Sequence, residues 1–146
     1  MNVGDNKKAL VLFSGGLDSM TVLAIAKSKG YKITALTINY KQRHNYEILA
    51  SKNIIASHSD INHIIFDIDL TRIGGSALTD SSLDVPKEES SGIPITYVPA
   101  RNTIFLSIAA SYAEKLKIRE IYIGVNAIDY SGYPDCRPEF IASFQE

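Results

Sequence analysis

Two hydroxyls and a carboxylate crowd around a glycine pair in the stretch Phe13-Ser14-Gly15-Gly16-Leu17-Asp18-Ser19. Glycines let the backbone take φ > 0 and approach a ligand closely. The stretch follows the apolar run Ala9-Leu10-Val11-Leu12 and leads into an apolar-rich segment over 20–29, so its context is strand, tight turn, helix. The free N–H groups of a new helix, with the positive end of its dipole, attract an anion. A phosphate or pyrophosphate is the ligand such a turn suits.

The spelling narrows the ligand further. A Walker loop places Lys after its second glycine, and none stands there. A dinucleotide fingerprint has three spaced glycines, and only the pair is present. Ser-Gly-Gly-Xaa-Asp-Ser resembles instead the loop of the pyrophosphatase-loop ATPases, which activate a carbonyl oxygen by transferring AMP and releasing pyrophosphate.

At 146 residues the chain forms one domain with room for a core. A net charge of −1 argues against a general electrostatic hold on nucleic acid or membrane, so neither is an expected partner. No apolar run approaches the roughly 18 residues of a membrane span, and the polar first residues are unlike a signal peptide. The single cysteine, Cys136, excludes an internal disulfide and suits a reducing cytoplasm.

The elements that must position the loop are legible from periodicity. Residues 8–14 read as a buried parallel strand, nearly all apolar. A helix is expected over 18–29 with Gly30 as its stop. A strand over 33–39, rich in β-branched residues, is followed by the polar turn Tyr40-Lys41-Gln42-Arg43-His44, a helix over 45–57 and a short strand over 63–67. Periodicity then fails from 69 to 96, a length that marks a functional lid. Residues 102–117 form the clearest helix, with Phe105, Ile108, Ala109, Tyr112 and Leu116 on one core-facing side. A strand over 120–124 and a polar loop over 127–137 lead to a last helix opened by Pro138. That helix breaks off at Glu146 without a stop signal, so the chain reads as the front of a longer protein. The order predicts an α/β doubly wound parallel sheet, strands 3-2-1-4, with ligands beyond the strands' carboxyl ends at the switch between the first and fourth.

With these segments placed, the chain closely resembles the 7-cyano-7-deazaguanine synthase family of the queuosine pathway. The matching pieces are the Phe13–Ser19 loop, the Tyr40–His44 turn, Gly92-Ile93-Pro94, Val98-Pro99-Ala100-Arg101-Asn102, and Asp129-Tyr130-Ser131-Gly132-Tyr133-Pro134-Asp135-Cys136-Arg137. The last is the most specific. The resemblance implies an adenine nucleotide alpha hydrolase-like fold, and conversion of the carboxylate of 7-carboxy-7-deazaguanine into a nitrile with ammonia and ATP. A carboxylate is a poor electrophile, so AMP is attached to its oxygen and pyrophosphate leaves. Ammonia displaces AMP to give an amide, and a second activation of the amide oxygen permits loss to the nitrile. Positioning and charge neutralisation would supply most of the catalysis. The family's four zinc-binding cysteines lie in its C-terminal part; with one cysteine here, zinc is expected only beyond this chain. A homo-oligomer is also expected.

The candidate nucleotide site comprises Phe13, Ser14, Gly15, Gly16, Leu17, Asp18, Ser19, Met20, Thr21, Val22 and Leu23, with Arg43 and Asn102. Asp18, Ser19 and Arg101 are the candidate catalytic residues, Asp18 as a Mg²⁺ ligand beside the pyrophosphate and Arg101 on nucleotide phosphate. Asn102 also reads as an N-cap. Asp129, Tyr133, Asp135 and Arg137 are the candidate contacts to the deazaguanine. His44 reads as a turn residue, His58 and His63 as surface, and Cys136 as packed and inert. Two other readings compete: another AMP-transferring enzyme of the same class, acting on a tRNA base or a small acid, and an ATP-binding module without catalysis.

Overall fold

The computed structural model describes residues 7–40, 46–73, 100–125 and 134–146. Four strands form one parallel sheet: β1 (Lys8–Leu12), β2 (Lys32–Asn39), β3 (Asn62–Asp67) and β4 (Glu120–Tyr122), in the order β3-β2-β1-β4. Between them run α1 (Leu17–Ser28), α2 (Tyr46–Ala56) and α3 (Arg101–Leu116); a short 3₁₀ turn (Pro134–Cys136) and α4 (Pro138–Gln145) follow β4. This is the doubly wound α/β fold and strand order that the sequence predicts. The expected lid over 69–96 lies outside the described residues from residue 74 onward, so only its first turn is placed.

Side-chain alternation along the strands divides the core into two layers. Leu10, Leu36, Ile38 and Tyr40 pack with Ala109 and Ala113 of α3. Val11, Phe13, Ile33 and Ala35 pack with Leu23 and Ala26 of α1 and Ile55 of α2. Both faces of the central strands are therefore covered, which is why β1 and β2 read as nearly unbroken apolar runs. The expected aromatic stripe of α3 is core: Phe105, Ile108, Tyr112 and Leu116 pack around the first layer.

The register brings the strand ends level. Leu12 pairs with Leu36, Val11 with Tyr122 and Ile38 with Phe66. Gly30, at φ 81°, closes α1 as expected; its amide donates to Lys27 O at 3.0 Å. At the other end of α1 only Gly15 uses left-handed freedom, at φ 88°. Gly16 is the N-cap at φ −77°, a value open to any L-residue.

Candidate functional site

The carboxyl ends of β1, β2 and β4 and the start of α3 enclose a cavity of about 450 Å³. It opens at the switch between β1 and β4, where the fold rule places a ligand. Phe13, Ser14, Gly16, Leu17, Asp18, Ser19, Arg101 and Asn102 all line it. Residues 88 positions apart in the chain are thereby brought to one cavity, from Ser14 to Asn102.

The loop holds itself in a closed ring of hydrogen bonds. Ser19 Oγ–H donates to Gly16 O at 3.1 Å and accepts from the Ser14 amide at 3.2 Å. A carbonyl can only accept, so the proton between the two hydroxyls, 3.1 Å apart, comes from Ser14. Ser14 Oγ in turn accepts from the Gly16 amide at 3.2 Å. The ring fixes the turn while leaving the exposed Ser14 hydroxyl able to rotate toward an incoming oxygen. No side chain caps α1. The amides of Leu17, Asp18 and Ser19 open the helix with no acceptor among the described residues. Three donors and a helix dipole thus face the cavity, with the Asp18 carboxylate beside them.

Below the loop, Thr37 supports its first residue. Thr37 Oγ1–H donates to Phe13 O at 2.6 Å, and its oxygen lies 2.7 Å from His63 Nε2. The hydroxyl proton is committed to the carbonyl, so His63 carries its proton on Nε2 and donates. His63 is therefore no surface residue. It is half-buried, and burial first, then Lys52, lowers its pKa from the ordinary 6.5. His58 bonds locally, to Ile54 O and Ser57.

Arg101, which lines the same cavity, is braced by aromatic rings. Its guanidinium carbon lies 5.6 Å from the Tyr40 ring centre and 5.9 Å from that of Phe105. Nη1 donates to Tyr40 Oη at 3.2 Å. Burial works against its charge, but Tyr40, Cys136 and Asp135 together outweigh this and raise its pKa. A permanently charged, pre-oriented cation thus lines the same cavity as the loop.

Asn102 is not the N-cap of α3. That position belongs to Ala100, in the left-handed region at φ 53°. Asn102 is the second residue of the helix, and its backbone amide donates to Asp135 Oδ2 at 2.6 Å. Its side-chain amide contacts Asp135 O and Cys136 Sγ, each at 3.1 Å. Asp135 is 5% exposed and caps the helix from a distance, a role the sequence reading did not foresee. Cys136 is buried as expected, and desolvation, then Asp135, pushes its thiol pKa up.

The remaining candidates divide. Gly15, Met20, Thr21, Val22 and Leu23 are not on the cavity wall. Leu23 is buried against the sheet, Val22 packs beside it, and the Thr21 hydroxyl donates to Leu17 O at 3.0 Å. Arg137 is the N-cap of α4 and is also off the wall. Arg43, Asp129 and Tyr133 lie outside the described residues. Among the described residues no group of three or more His, Cys, Asp or Glu could hold a metal, and no helix is long and apolar enough to cross a membrane.

Sequence reasoning missed Thr37, Tyr40, Phe105 and Gly124 as site residues. Gly124 follows β4, and its backbone runs against the start of α1. A Cβ there would lie 2.8 Å from the Asp18 carbonyl carbon, 2.9 Å from its oxygen and 3.0 Å from Ser19 N. The only sequence signal was a glycine ending an apolar strand.

Comparison with known proteins bears on the fold and the family. The chain is 58% identical over 139 residues to the 7-cyano-7-deazaguanine synthase of Cellvibrio japonicus, covering 95% of this chain and 62% of the relative. Synthases of the same name from Saccharophagus degradans and Pseudomonas fluorescens are 56% and 55% identical over 141 residues, each covering 97% of this chain and 63% of the relative. The chain thus spans under two thirds of the length of the curated relatives it matches. A structure from Methanocaldococcus jannaschii, described as a predicted subunit of tRNA methyltransferase, shares the fold with a TM-score of 0.57 at 19% identity, over 95% of this chain and 62% of that one. The family described as Queuosine biosynthesis protein QueC matches residues 8–146, and the chain belongs to it.

Proposed function

We propose that this chain is the nucleotide-binding part of an enzyme that converts 7-carboxy-7-deazaguanine and ammonia to 7-cyano-7-deazaguanine, using ATP. The observation that carries the reading is what the cavity gathers: the Ser14–Ser19 ring, the bare first-turn amides of α1 and the braced Arg101 all line it. The names of its relatives supply the substrate; the geometry supports the polyphosphate.

In this reading the pyrophosphate of ATP seats on the amides of Leu17, Asp18 and Ser19, with the Ser14 hydroxyl turning from Ser19 to a phosphate oxygen. The substrate carboxylate attacks the α-phosphate in line, and pyrophosphate leaves into donors already in place. Arg101 neutralises charge that builds on the phosphoryl oxygens. Ammonia then adds to the acyl carbon, AMP leaves, and a proton is lost to give the amide. A repeat of the activation on the amide oxygen lets AMP leave with the last proton, forming the nitrile. Mg²⁺ prefers one or two carboxylates plus phosphate oxygens and water. The lone Asp18 fits that demand, and the ion would neutralise the leaving group. The oxygen-rich loop beside few carboxylates suits a metal that arrives with its nucleotide.

The test is pyrophosphate release and product mass after incubation with carboxy-deazaguanine, ATP, Mg²⁺ and ammonium. Ser14→Ala and Asp18→Ala should keep the wild-type fold by circular dichroism and lose at least about tenfold in pyrophosphate release, since an oriented donor contributes roughly 10²–10³ in such sites. Wild-type release by both variants would remove the central assignment.

A further inference from the structure

Asp135 is the one buried carboxylate among the described residues, yet it does not line the cavity. Its neighbours across the contact, Arg101, Asn102 and Cys136, all do. A carboxylate removed from both water and the cavity is held by what it does for the protein around it.

What it does is close a two-way clasp. Asp135 Oδ2 accepts from the Asn102 amide at 2.6 Å, while Asn102 Nδ2 donates back to Asp135 O at 3.1 Å. The same Nδ2 reaches Cys136 Sγ at 3.1 Å. The clasp ties the turn after the β4 loop to the first turn of α3. That helix is entered through Ala100 in the left-handed region, a conformation unfavourable for a residue with a Cβ. Arg101 is the first residue after this strained entry, and its guanidinium must meet Tyr40 from there.

We propose that Asp135 and Asn102 are positioning residues that fix Arg101 in the cavity through this clasp, and that Asp135 does not contact substrate. The proposal rests on the reading of Arg101 as the cation facing the polyphosphate. It also makes the clasp the point where the 3₁₀ turn at Pro134–Cys136 and the cavity residues of α3 are joined. The clasp needs an acceptor oxygen there, and a carboxylate supplies it while its charge complements the helix end and the nearby guanidinium.

The test combines amide hydrogen exchange with turnover, in the full chain as wild type, Asp135→Ala, Asp135→Asn, Arg101→Ala and the double variant Arg101→Ala/Asp135→Ala. Loss of the clasp should speed exchange of the amides of 102–106 at least tenfold in Asp135→Ala. Asp135→Asn keeps an acceptor oxygen, so its exchange should stay within about threefold of wild type. Pyrophosphate release should fall at least tenfold in Asp135→Ala with the deazaguanine KM within threefold. The double variant should be no slower than Arg101→Ala alone, because both act through one group. Unchanged exchange in Asp135→Ala, losses that multiply in the double variant, or a selective rise in deazaguanine KM would each overturn the proposal. If Asp135→Ala does not fold, Asn102→Ala replaces it for turnover: it removes the side-chain half of the clasp and keeps the backbone bond. Pyrophosphate release should then fall, and the double variant with Arg101→Ala should be no slower than Arg101→Ala alone, while losses that multiply would overturn the proposal. A wild-type protein that releases no pyrophosphate would refute the proposed function instead, and the exchange experiment would still decide the clasp.

Discussion

Gly124→Ala replaces one hydrogen with a methyl group at a place where the backbone has no room for it. The new Cβ would sit 2.8 Å from the carbonyl carbon of Asp18 and 3.0 Å from Ser19 N, against an optimum of about 3.5–4.0 Å between carbons. The overlap is roughly 0.7 Å and falls on backbone, which cannot rotate away as a side chain would. Either β4 or the start of α1 must move. Overpacking of this kind costs about 1–3 kcal/mol, which for a chain of this size lowers Tm by about 2–10 °C. The function should suffer more than the fold, because the atoms displaced carry the amides proposed to hold the pyrophosphate. A 1 Å misplacement at reacting groups costs on the order of 10²-fold, so a shift of several tenths should cost about tenfold in kcat/KM for ATP. Gly30→Ala is the matched control. Its φ of 81° makes alanine strained, but nothing lies within 4 Å of the new Cβ. It should lower Tm by a similar amount and leave ATP kinetics at wild type. If Gly124→Ala melts within about 1 °C of wild type and turns over ATP within twofold, the close approach of β4 does not set the loop, and the reasoning fails.

The His63–Thr37–Phe13 relay predicts a pH effect. A histidine whose folded pKa is lowered binds fewer protons folded than unfolded, so stability should hold above pH 6.5 and fall as pH drops below it toward the lower folded value. Chemical denaturation across that range should show this slope in wild type and a smaller one in His63→Gln, which can still donate to Thr37; equal slopes would remove His63 as its source. Cys136, buried with its thiol pKa raised, should resist alkylation in the folded protein at neutral pH and react on unfolding. Fast native-state labelling would contradict that packing, and loss of turnover in Cys136→Ala would contradict its inert role.

Local chemistry in the sequence was enough to place the loop and the sheet. A serine–glycine–glycine–aspartate–serine turn between an apolar strand and a helical repeat is a short-range arrangement, and its consequences are set by residues near one another in the chain. The strand order followed for the same reason: nearly unbroken apolar runs must be covered on both faces, which four strands alternating with helices achieve in few ways. The helix ends were less legible. Gly30 announced the end of α1 because glycine occupies the left-handed region without cost, whereas Ala100 and Lys117 occupy it at φ 53° and 58° with no mark in the sequence. The partners of the polar residues depended on tertiary structure altogether. Asp135 looked like a ligand contact and turned out to cap a helix that begins 34 positions earlier, at Arg101. Thr37 and Tyr40 looked like strand and turn, and they hold the loop and the guanidinium. Gly124 shows the division most plainly: its residue type was visible, but the reason for it is the backbone of Asp18 and Ser19, more than a hundred residues away, brought within 3.0 Å of where a side chain would stand.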